Sequence, residues 1–223
     1  MTPPAAALGL ALALFGAGPV EAAVASPSPQ QPQQPQQPPA SPELVDATKV
    51  VDGLALDIRY ATENNFTGKK LYDAARCLLR PRVAAGLAQA QALLKPKGYG
   101  LKVFDCYRPF SVQKKMWEAM PVRGLVAPPA KGGSNHNRGA AVDITLIKLD
   151  GSAVEMPTEY DDFGRAARIN SPLPSKAAQR HRTILQDAMM RSGFKPMYME
   201  WWHFDAEDPL QYKTLDLPLT PAE

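Results

Sequence analysis

The sequence predicts one α+β domain, a mostly antiparallel sheet with flanking helices, over residues 42–223. Three observations lead there. β-rich runs and segments with helical apolar spacing follow one another irregularly, without the repeated strand–helix–strand unit that builds a parallel sheet. The stretch from Pro42 onward is long enough to close a hydrophobic core of its own. It holds no internal repeat and no block of like charge that would divide it.

What precedes Pro42 has a different character. Ala5–Gly18 is an apolar run too short to span a membrane, and Ala23–Ala25 offers the small residues of a signal-peptidase site. Residues 1–25 are expected to be a signal peptide, although no Lys or Arg precedes the apolar run. The mature chain is then exported, periplasmic or extracellular, with no stable membrane insertion. Residues 26–41, SPSPQQPQQPQQPPAS, offer nothing large and apolar to bury and read as a disordered Pro/Gln-rich linker. The formal charge is +3, and +4 without Glu21, the one charged residue before Ser26. A charge so mild and scattered does not indicate a nucleic-acid partner. Beyond an export signal, Cys77 and Cys106 predict a disulfide. A metal site using both is disfavoured, because neither has a Cys or His nearby at ligand spacing.

Within the domain, LALDIRYAT reads as a strand ending near Tyr60, and ENNFTGKKLYD as a turn. From Arg80 to Lys95, Val83, Leu87, Ala90 and Leu94 form an apolar stripe at helical spacing, closed by Pro96 and Gly98. YGLKVFDCY is a strand with Leu101, Val103 and Asp105 on one face. Pro109 suits the first turn of a helix whose apolar face is Val112, Met116, Trp117 and Met120. VRGLVAPPAKGG is a loop, AAVDITLIKL a central strand, and DGSAVEMPTEYDDFG a hairpin turn followed by a loop. Ser175 can cap a helix that runs to Arg191 and stops at Gly193, with Ile184, Leu185, Ala188 and Met189 inward. YMEWWHF is a last strand by its aromatic content.

The chemistry concentrates at the histidines, of which there are three. His181, mid-helix among charges, reads as a solvated position. His136 sits in a polar turn with Asp143 seven residues on, and a turn at Arg138–Gly139 could swing the two onto one face. Taken alone, that pair is a turn histidine and a strand-edge carboxylate. His203 shifts the balance, because two imidazoles and one carboxylate supply the three ligands of a catalytic zinc that keeps one position open. Glu200 is then free to act as base on a zinc-bound water. It lies three residues from His203, so on a strand a bulge or strong twist would have to bring the two together. Arg108, between a strand and a helix, can hold a substrate carboxylate or a developing oxyanion. A surface arginine capping a strand end fits its spacing equally well.

SNHNRGAAVD and EWWHF resemble the SxHxxGxAxD and ExxH signatures of the zinc D-alanyl-D-alanine dipeptidases. RYATENNFTGKKLY and YGLKVFDCYRP resemble the N-terminal part of the same family. The likeness covers Leu54 to about Phe204. It implies hydrolysis of D-Ala-D-Ala, a small D,D-dipeptide, to two D-alanines, with one zinc per chain on His136, Asp143 and His203 and with Glu200 as base. It implies Arg108 at the scissile carbonyl, and Tyr60, Ser134 and Asp161 lining the pocket. Asp161 would meet the substrate ammonium, with Asp162 as the alternative. The segment from Tyr107 to Ser134 is shorter than in resistance-type members, and Cys106 replaces a common Gly. Two further functions stay open: trimming of longer peptidoglycan peptides as a D,D-carboxypeptidase or endopeptidase, and a non-catalytic zinc-stabilised cell-wall-binding module.

Overall fold

The computed structural model describes residues 43–221. The expected signal peptide and Pro/Gln linker lie outside them. Two sheets form. A short antiparallel pair joins β1 (Val45–Asp46) to β3 (Leu78–Leu79). The main sheet has five strands in the order β2-β4-β5-β7-β6. They are β2 (Ala55–Leu56), β4 (Tyr99–Asp105), β5 (Ala141–Lys148), β6 (Phe194–Pro196) and β7 (His203–Ala206). Three of its four pairings are antiparallel, and β2 runs parallel to β4. With helices α1 (Pro81–Leu94), α2 (Phe110–Ala119) and α3 (Lys176–Met190), this is the expected α+β architecture.

The sequence explains most of these bounds. α1 starts on Pro81, whose missing N–H costs nothing at a first turn, and buries Val83, Leu87, Ala90 and Leu94. Ser175 caps α3 by accepting the Ala178 N–H at 3.0 Å, and Gly193 ends it at φ 83°. β5 is buried from Ala141 to Ile147, as a central strand covered on both faces must be. Cys77 and Cys106 form a disulfide with Cα atoms 5.1 Å apart, joining the residue before β3 to the one after β4.

Four expectations need correction. YMEWW is not strand. β7 begins only at His203, and residues 197–202 loop across from β6, so Glu200 stands on the connection of a hairpin and no bulge is required. Aromatic content there reflects packing, since Trp201 and Trp202 are fully buried. Tyr60 lies in a 3-10 turn, Arg59–Ala61, rather than at a strand end. Pro109 precedes α2 in extended conformation and does not enter it. His181 is half-buried, its Nδ1 2.8 Å from the Glu155 carbonyl.

Candidate active site

Register builds the site. Asp105 on β4 pairs with Asp143 on β5, which pairs with His203 on β7, so three polar side chains form one row across the sheet. His136 joins the row from the 3-10 turn Asn135–Arg138 that precedes β5. Gly139 ends that turn at φ 66°, where a Cβ would meet the Leu44 side chain. Ser134 opens it, its Oγ accepting the His136 N–H at 3.3 Å. The turn is tied to the end of β4 by two bonds. The Arg108 N–H donates to the His136 carbonyl at 3.1 Å, and the Asn137 amide donates to the Arg108 carbonyl at 2.9 Å.

The three expected ligands converge. His136 Nε2 lies 3.2 Å from Asp143 Oδ1 and 3.2 Å from His203 Nδ1, and that nitrogen is 2.9 Å from the same Asp143 oxygen. All three residues are buried, 1–4% exposed. The outward atom of each has its own partner. His136 Nδ1 is 2.7 Å from the Cys106 carbonyl, an acceptor that fixes the ring and turns Nε2 toward the cluster. His203 Nε2 faces Asp205 Oδ1 at 3.1 Å, which turns Nδ1 to the cluster. Asp205 is fixed in turn by Asn135 Nδ2 at 2.9 Å. Asp143 Oδ2 accepts the Tyr160 hydroxyl at 2.8 Å. Two imidazole nitrogens and one carboxylate oxygen, all within 4.8 Å of one another, form a donor set that suits a divalent transition metal.

Charge in the cluster is finely balanced. Burial works against the charge of His203, but its hydrogen bonds to Asp143 and Asp205 outweigh this and raise its pKa well above the usual value. Burial likewise opposes Asp143, yet the charges and hydrogen bonds of both histidines hold it well below the carboxylate range.

A cavity of about 270 Å³ opens on these donors, lined also by Tyr60, Arg108, Ser134, Asp161 and Glu200. Burial lifts the Glu200 carboxyl to about 7 and the Asp161 carboxyl to about 7. Asp161 holds φ 63°, a backbone region unfavourable to non-glycine residues, and accepts the Tyr60 hydroxyl at 3.2 Å and the Phe66 N–H at 3.1 Å. Asp162 is exposed and caps the Gly164 N–H instead. Arg108 is a buried cation, not a surface cap. Asp105 Oδ2 accepts its Nε at 3.0 Å and Nη2 at 2.7 Å, and Gln113 Oε1 accepts its Nη1 at 2.8 Å. Gly124, Leu125, Val126 and Ala127, from the short segment between Tyr107 and Ser134, form one wall.

Sequence reasoning missed Asp205, Tyr160, Asp105 and Gln113. Asp205 had a signal, because it stands two residues beyond His203 and therefore on the same face of a strand. The others depend on long-range contacts that no local spacing encodes.

An α+β sheet that carries a buried His–Asp–His donor set beside a carboxylate in one cavity defines a site of metallopeptidase type. A family model described as D-ala-D-ala dipeptidase matches residues 40–217. A D-alanyl-D-alanine dipeptidase of Escherichia coli K12 is 35% identical over 173 residues, 78% of this chain and 89% of that protein. One of Enterococcus faecium is 32% identical over 77% of this chain and 95% of its own. A solved structure, VanYB in complex with D-alanine-D-alanine, is 16% identical over 63% of this chain and 77% of its own, at a TM-score of 0.37, too low to bear on fold or site. The chain belongs to the D-Ala-D-Ala dipeptidase family of peptidases.

Proposed function

We propose that this protein is an exported zinc dipeptidase that hydrolyses D-Ala-D-Ala to two D-alanines. The observation that carries this is the meeting, in one cavity, of the His136–Asp143–His203 donor set with Glu200 and Asp161. The names of the relatives support the substrate. The apolar Ala5–Gly18 segment and the Cys77–Cys106 bridge support export.

In this proposal His136, Asp143 and His203 hold the zinc. When bound, it supplies Lewis acidity and brings the pKa of water to about 7. Glu200 takes the proton of the attacking water and returns it to the leaving amine. Arg108, held in place by Asp105 and Gln113, offers a fixed positive charge as negative charge grows on the carbonyl oxygen. Asp161 and Tyr60 receive the substrate ammonium, and Ser134 lines the wall beside His136. Buried Trp201 and Trp202 exclude water behind Glu200.

Asp161 also separates the dipeptidase from a carboxypeptidase, whose substrate amine is already acylated. The test compares D-Ala-D-Ala with its N-acetyl form and a wall pentapeptide, with zinc content measured alongside. Rapid cleavage of the free dipeptide is expected. The acetylated one loses a charge-assisted contact worth about 2–5 kcal/mol, roughly 30-fold or more in kcat/KM. Equal rates would replace the dipeptidase by a carboxypeptidase. Bound zinc with no hydrolysis of any of the three would leave a wall-binding module.

A further inference from the structure

We propose that Tyr160 is a positioning residue for the metal centre, holding Asp143 so that one chosen oxygen faces the metal. This rests on the metal reading above. The two oxygens of Asp143 have separate tasks. Oδ1 lies 3.2 Å from His136 Nε2 and 2.9 Å from His203 Nδ1, so it faces the donor cluster. Oδ2 points away and meets the Tyr160 hydroxyl at 2.8 Å. A phenol has one proton to give, and the shortest acceptor in reach is this oxygen. The Tyr60 hydroxyl is more distant, at 3.2 Å, and is itself within 3.2 Å of Asp161 Oδ1.

The donor cannot swing away. The Tyr160 ring is buried and lies 4.7 Å from Phe104, 5.4 Å from Trp202 and 6.1 Å from Tyr60, centroid to centroid. Three rings set its plane, and the plane sets where the hydroxyl points. The backbone contributes too. Asp161 turns left-handed at φ 63°, so two successive side chains enter the site, Tyr160 toward Asp143 and Asp161 into the cavity. Without the hydroxyl, Oδ2 would be a buried carboxylate oxygen that has lost the one hydrogen bond it accepts here. The carboxylate would then gain by rotating to share both oxygens with other donors, and the cluster would lose its preset geometry.

The experiment titrates Tyr160→Phe and His203→Ala with zinc alone, in competition with a chromophoric chelator, beside the unaltered protein. Thermal unfolding of each metal-free form is recorded as well. Tyr160→Phe keeps the ring and deletes one oxygen. Its zinc affinity should fall about 10–100-fold while the metal-free form melts where the parent does. At saturating zinc, kcat should recover further than the affinity does, and KM should move little. Zinc affinity within twofold of the parent, with His203→Ala losing zinc, overturns the role of Tyr160. A weakened affinity accompanied by an equal loss of metal-free stability also overturns it, because the hydroxyl would then serve packing. Parental affinity in both variants removes the metal site itself.

Discussion

Glu200 and Asp161 owe their properties to what surrounds them. Each is a carboxyl whose pKa burial lifts to about 7. Their proposed roles differ, so the tests differ. Glu200→Ala should keep zinc at parental stoichiometry and lose nearly all turnover, whereas His203→Ala should lose both. Loss of zinc from Glu200→Ala would make it a ligand. The pH profile has a defined sign. Ammonium capture needs the ionised form of Asp161, so kcat/KM should rise as pH increases through about 7 and decline below it. A bound cation favours ionised Glu200, which leaves Asp161 to set that limb. Asp161→Asn should therefore flatten it while slowing the free dipeptide.

At the scale of elements, the turn Asn135–Arg138 decides whether His136 reaches Asp143. Seven residues separate them, an odd number that would put them on opposite faces of a straight strand. The αL backbone of Gly139 reconciles the two. Gly139→Ala adds about 1–2 kcal/mol of backbone strain and drives a methyl into Leu44 and toward the Arg80 N–H. Unfolding midpoints should drop accordingly, and zinc affinity should fall with them, while Gly151→Ala, with open space around it, should show the strain alone. This turn was legible because Gly after a polar run is a local signal. The helices were legible for the same reason, since α1 and α3 carry their apolar stripes and caps in contiguous residues. The loop bearing Glu200 was not. Aromatic residues suggest a strand, and only the β6–β7 pairing shows that Trp201 and Trp202 fill the core from a connection. Arg108 was ambiguous because its partner Asp105 and clamp Gln113 become neighbours only once β4 and α2 are in place.

Across the whole molecule, the Cys77–Cys106 bridge and the site are one assembly. Cys106 offers its carbonyl to His136, and its N–H donates to Asp105, which holds Arg108. The bridge links residues 29 apart and encloses α1 and all of β4, and closing such a loop is worth about 3–4 kcal/mol in the chain-entropy model. The Cys77→Ser/Cys106→Ser double variant should lose about that much in urea-unfolding free energy. Free thiols in the denatured, unreduced protein would contradict the bridge. Cys77, just before β3, is thus part of what locates a site contributed by β4, β5 and β7.

His203 sits between Asp143 and Asp205, and both carboxylates favour its protonated form. A nitrogen cannot hold a proton and ligate a cation at once, so metal uptake is also an acid release. Isothermal calorimetry at neutral pH should therefore give an apparent enthalpy that changes with the ionisation heat of the buffer, with a slope of about one proton per zinc. A protein so built would take up its metal more readily from alkaline than from acid solution.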